Sequence, residues 1–138
     1  AFATYNLAPW QLRRDIGMLG TLYKVRRGTA HSDLCALFPF CPAPRFDRRT
    51  RADHRRHGRQ LVNFCDGTQL QQFSRSVLGI VKVWNLLPSQ FVECKSVSAF
   101  QSKLTSAARD ACKAHADSWQ RMFSVSSAPF SLLLRYCF

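Results

Sequence analysis

At 138 residues, with 46% apolar side chains, eleven Phe and three Trp, the chain has the length of one domain that buries roughly two thirds of its unfolded surface, so no disulfide or metal staple is required. Its formal net charge of +12 would push toward disorder if it were evenly spread and favours polyanionic partners. Its apolar runs fall far short of the ~20 residues that span a bilayer, so no transmembrane segment is expected, and no membrane or small-molecule partner is expected either.

Leu12, Ile16, Leu19 and Tyr23 recur at intervals of four, three and four, the stripe of a helix over 10–27. Gly17 and Gly20 each weaken such a helix by about 1 kcal/mol relative to Ala, so they mark either a close-packed neighbour or an eroded sequence. Gly28 is suited to the position just past its end. Ser32 reads as the N-cap of a short helix over 32–38, with Asp33 favourably placed in its first turn and Pro39 stopping it. "PFCPAPRF" is a proline-punctuated linker. The basic segment follows, and it is expected to be an exposed loop within a linker over 39–59.

"RQLVNFC" and "TQLQQFSRS" flank Asp66-Gly67, a pair that favours a tight two-residue turn, so a β-hairpin is expected over about 59–76. Val77, Ile80, Val81, Trp84 and Leu87 restore helical spacing over 77–87, and Pro88 ends it by disfavouring the helical conformation in its predecessor. Ser96 or Ser98 then caps a helix over 97–115, Ser98 with Gln101 having capping-box spacing. Its buried face is Val97, Phe100, Leu104 and Ala108 or Ala111, with Trp84 and Phe100 expected to meet in the core. The expected class is therefore α+β, a small and mainly helical domain with one hairpin and an exposed basic loop. It occupies 1–116, and 117–138 is left as an unassigned tail.

Six cysteines at irregular spacings, with no secretory signal ahead of them, read as reduced thiols in an intracellular protein, nuclear or cytoplasmic, rather than as a disulfide framework. The start at Ala1 rather than Met leads to the expectation of a fragment.

The charge is concentrated. Arg45, Arg48, Arg49, Arg51, Arg55, Arg56 and Arg59 face only Asp47 and Asp53, a net +5 (seven minus two) within 45–59. Guanidinium forks bind phosphate in bidentate fashion, and a cluster of them releases condensed counterions on meeting nucleic acid. Phe46, His54 and His57 add stacking or hydrogen-bonding groups of the kind single-strand binders use. Arg13, Arg14, Arg26 and Arg27 are a candidate secondary basic surface. The alternative for the whole run is a solvated linker.

Cys35, Cys41, His54 and His57 form Cys-x5-Cys-x12-His-x2-His, with Cys65 as a possible substitute ligand. Only the central gap suits a zinc finger and prolines stiffen the loop, so no metal is expected. No Gly-x-Ser-x-Gly turn accompanies the Ser, Cys and His residues, and no cofactor motif is present. Phe73, Trp84 and Phe100 sit at hairpin or helical spacing and read as core rather than stacking platforms.

Taken in order, "LAPWQLRRDIGMLGTLYKV", "AHSDLCALFPF", a basic stretch, "SVLGIVKVWNLLP" and "SVSAFQSKL" resemble the region that follows the polymerase domain in reverse transcriptases of non-LTR retrotransposons. That region often carries Leu-x-x-Arg-Arg, Trp-Asn-x-Leu-Pro and Ser-x-Phe-x-x-x-Leu in this order. The similarity runs from about Leu7 to Leu104. It implies a parent that is an RNA-directed DNA polymerase, but the family's Tyr-x-Asp-Asp box is absent, so no catalytic residue carries over and the chain is expected not to be an enzyme. The resulting expectation is a non-catalytic C-terminal region that contacts the phosphates of RNA or DNA, with the parent's polymerase domain as a further partner. The alternatives are a relic of a decayed mobile element, or a helical docking module that uses the face around Trp84 and Phe100.

Overall fold

The computed structural model describes residues 8–42, 57–64, 76–124 and 135–137. Of these, 62% are helical and none lies in a strand or sheet. The helices are α1 (Trp10–Arg27), α2 (Ser32–Ala36), α3 (Val77–Leu86), α4 (Ser89–Val92) and α5 (Val97–Lys113), followed by a 3-10 turn over Trp119–Arg121. α1 is the central element and packs against both α3 and α5. Its stripe of Leu12, Ile16, Leu19 and Tyr23 is buried, joined by Leu22 and Val25.

Gly28, at φ 71° and ψ 17°, closes α1 in the left-handed conformation, and the backbone N–H groups at this end bond to the Lys24 and Val25 carbonyls. Glycine adopts that conformation without a Cβ penalty. α2 begins differently from the expectation: His31, not Ser32, is the N-cap, its Nδ1 accepting the Asp33 N–H at 3.3 Å. For α5 the choice between two serines falls to Ser96, whose Oγ accepts the Ala99 N–H at 3.2 Å.

Trp84 and Phe100 meet edge to face, centroids 5.8 Å apart at 63°, and Tyr23 stacks on Phe100 at 5.0 Å and 20°. The Tyr23 hydroxyl donates to the Cys94 carbonyl, which also accepts Arg27 Nη2 at 2.6 Å. A buried phenol therefore keeps its hydrogen bond, as the stability of such a core demands. Met122 and Phe123 are also fully buried, so the stretch after residue 117 supplies part of this core. Among the described residues no helix is long and apolar enough to cross a membrane.

The α+β expectation is corrected. Residues 65–75, with the Asp66-Gly67 turn, lie outside the described residues, but 57–64 show where the first expected strand goes. Leu61 forms an antiparallel bridge with Phe40, flanked by Cys41 N–H to Gln60 O and Val62 N–H to Pro39 O, both at 2.9 Å. On the other edge, the Leu61 N–H and C=O bond to the Asn85 side-chain amide, each at 2.8 Å. Both edges of the segment are thus occupied by partners remote in sequence. Alternation correctly signals one buried face, but it carries no information about which groups satisfy the backbone.

Candidate nucleic-acid interface

The "WNLLP" turn organises the site. The Trp84 carbonyl, one turn from the end of α3, would ordinarily accept the N–H of residue 88, but residue 88 is proline and has none. Leu87 N–H approaches it at 3.1 Å, and His57 Nε2 supplies a second bond at 2.8 Å. Because a carbonyl only accepts, Nε2 carries the proton, and Nδ1 is left to accept the Arg59 N–H at 3.1 Å. The indole Nε1–H donates to the Arg59 carbonyl at 3.1 Å. Together with Asn85 on Leu61, the end of α3 holds residues 57, 59 and 61, the spacing a neighbouring strand would read.

His57 is buried, its ring edge-on to Trp84 at 5.4 Å and 71°. Burial pulls its pKa below the ordinary 6.5; the Trp84 bond opposes this, and the charges of Arg26 and Arg59 add to it. His57 is therefore not the exposed stacking or hydrogen-bonding group expected of it: it is buried and both ring nitrogens are already engaged. Cys35 Sγ lies 3.8 and 3.6 Å from the Val25 and Ala30 carbonyls. His54 and Cys65 lie outside the described residues, and no group of three metal-ligating side chains occurs within them.

Of the seven arginines, Arg45, Arg48, Arg49, Arg51, Arg55 and Arg56 lie outside the described residues, as do Phe46 and Phe73. Arg59 is half-buried at the returning end. The bridge between 39–41 and 60–62 ties together the two ends of the segment that carries them. At this foot the Arg26 guanidinium lies 3.9 Å from the centroid of the Phe40 ring. Burial, then the charge of Arg59, lowers the Arg26 pKa from its ordinary value. The ion pairs among the described residues are Arg14 with Asp15 and His31 with Asp33, and neither involves Arg26 or Arg59.

The secondary basic residues divide. Arg13 is exposed. Arg14 lies 5.2 Å over the Trp10 ring and 3.5 Å from Asp15. Arg27 is spent on the Cys94 carbonyl and the Tyr23 ring, leaving Arg26 as the member that joins the foot. Trp84 and Phe100, around which a docking face was the alternative expectation, are both fully buried.

Sequence reasoning missed Phe40, Arg26 and Asn85 as a group. One signal was legible: an aromatic set between prolines in a linker has little else to pack on. No family model, curated protein or solved structure matches the chain.

Proposed function

We propose that this chain is a non-catalytic nucleic-acid-binding region, similar to the post-polymerase part of a non-LTR retrotransposon reverse transcriptase, that grips phosphates through Arg45, Arg48, Arg49, Arg51, Arg55, Arg56 and Arg59. The observation that carries this reading is the bridged foot. It gathers both ends of an arginine-rich segment beside Arg26, and no ion pair among the described residues neutralises Arg26 or Arg59. Guanidinium groups concentrated in one stretch of sequence favour a polyanion over a neutral ligand.

A salt titration of binding to a labelled oligonucleotide tests it. If about five phosphates are engaged, the log–log slope should be roughly −3.5 to −4.5. Replacing Arg48, Arg49, Arg55 and Arg56 together with Gln should abolish binding at moderate salt. An affinity indifferent to salt would remove the proposal. The proposed parentage is tested separately, by whether the transcript encodes a Tyr-x-Asp-Asp polymerase box ahead of Ala1.

A further inference from the structure

Four large apolar side chains are prominently exposed among the described residues, and three of them flank the arginine-rich segment: Leu37 at 59%, Phe40 at 56% and Phe64 at 58%. Phe40 is the best defined. The bridge to Leu61 fixes its backbone, and Arg26 lies over its ring. A ring held this way gains little from folding by staying open to water, since its burial would contribute about 1.5–3 kcal/mol. Its exposure therefore needs another account. The Arg26 guanidinium lies over it and is in no ion pair among the described residues, so the foot presents a π-face and a cation side by side. Those complement the two features a nucleotide unit displays once its base is unstacked. A base within a duplex has both faces occupied by its neighbours and cannot lie on a protein ring.

Resting on the nucleic-acid reading above, we infer that the foot is a subsite for one unit of single-stranded nucleic acid, with a base stacked on Phe40 and its phosphate taken by Arg26. The arginine-rich segment then supplies sequence-independent and strand-independent attraction, while Phe40 discriminates single strands from duplex. Arg26 has a double role: it backs the aromatic ring as a cation and offers its remaining N–H groups to the phosphate.

The test is fluorescence anisotropy on the full chain with three labelled probes: a 12-mer of oligo(U), a 12-mer of oligo(dT) and a blunt 12-base-pair DNA duplex. The wild type should bind at least one single strand more tightly than the duplex. Phe40→Leu, which keeps an apolar side chain without a π-face, should weaken single-strand binding roughly five- to hundredfold and leave duplex binding and the salt slope unchanged. Phe40→Tyr should retain wild-type affinity. Arg26→Gln should reduce the single-strand salt slope by about 0.7, the share of one phosphate.

Several results would overturn the inference. One is a Phe40→Leu chain that binds single strands as the wild type does; another is one that loses strand and duplex binding equally. A wild type that favours the duplex would also do so. Failure of the wider reading is distinguishable, since the wild type would then bind none of the three probes at low salt. The two single-strand probes separate RNA from DNA, and preference for either supports the subsite.

Discussion

Leu61 and Phe40 are partners in the same antiparallel bridge, yet Leu61 is 1% exposed and Phe40 56%. The bridge is held by the bonds of their chain neighbours, Cys41 N–H to Gln60 O and Val62 N–H to Pro39 O; what differs is the covering. Behind Leu61 stands the end of α3, with Asn85 on its backbone and Trp84 on that of Arg59. Over Phe40, among the described residues, lies the Arg26 guanidinium. The lesson is that hydrogen bonding places a segment while neighbouring bulk decides its burial, so one bridge can join a structural face to an open one.

The largest expected effect breaks the inner side. Asn85→Leu strands the N–H and C=O of the buried residue Leu61, and each orphaned group costs about 1–3 kcal/mol, so urea unfolding should show a loss of roughly 2–6 kcal/mol. The matching change on the outer side, Phe40→Leu, removes one cation–π contact and should stay within about 1 kcal/mol of wild type. Equal losses at the two positions would erase the contrast between the faces.

Protonation sharpens it next. His57 is held neutral by burial, so the stability it contributes is present above about 6.5 and is lost as pH falls through that value toward its lower folded one. Asp15 has the opposite sign. It is buried, Oδ2 has no partner among the described residues, and desolvation outweighs Arg14 to raise its pKa from 3.8 to about 6. Its contribution is present below 3.8 and is lost as pH rises from there to about 6. The two partly cancel in the wild type. Asp15→Asn should therefore stabilise the chain at pH 7 by on the order of 1–3 kcal/mol. It should also unmask a steady loss below about pH 6.5. His57→Gln should instead gain stability as pH is lowered from about 6 to 4. Urea midpoints at four pH values read both.

The smallest effects lie on α1, away from the bridge. A Cβ at Gly17 meets nothing within 4 Å, whereas one at Gly20 falls 2.3 Å from Gln101 Nε2, the tip of a flexible side chain. Gly17→Ala should raise the thermal midpoint, by the equivalent of up to about 1 kcal/mol. Gly20→Ala should come out closer to neutral, the same helical gain being offset by displacing Gln101. If Gly17→Ala destabilised the chain, the first helix would not be the solvent-facing element that its exposure there describes.

The helices were legible because their signals are local. The stripe Leu12, Ile16, Leu19, Tyr23 and the stops at Gly28 and Pro88 act within one or two turns, and Trp84 against Phe100 followed from stripes that had to face each other. The hairpin was misread because Leu61 takes its partners from Phe40, twenty-one positions earlier, and Asn85, twenty-four later, and period-two alternation is silent about both. His57 was misread for the same reason: surrounded by arginines in sequence, it is drawn inward by a carbonyl that Pro88 leaves without its usual donor. Met122 and Phe123 escaped notice because a serine-rich setting hides two buried side chains that no period announces. At the candidate site, arginine density showed where charge accumulates, but the pairing of Arg26 with Phe40 arises only once the bridge has closed.

The bridge has a corollary for chain length. Because residues 39–41 and 60–62 are fastened to one another and to α3, the body of the protein is insulated from the length of whatever connects them. Doubling a flexible connector raises its closure entropy by only about 0.6 kcal/mol. A change in the length of the connection between the two fastened ends should therefore leave the stability of the helices nearly unchanged.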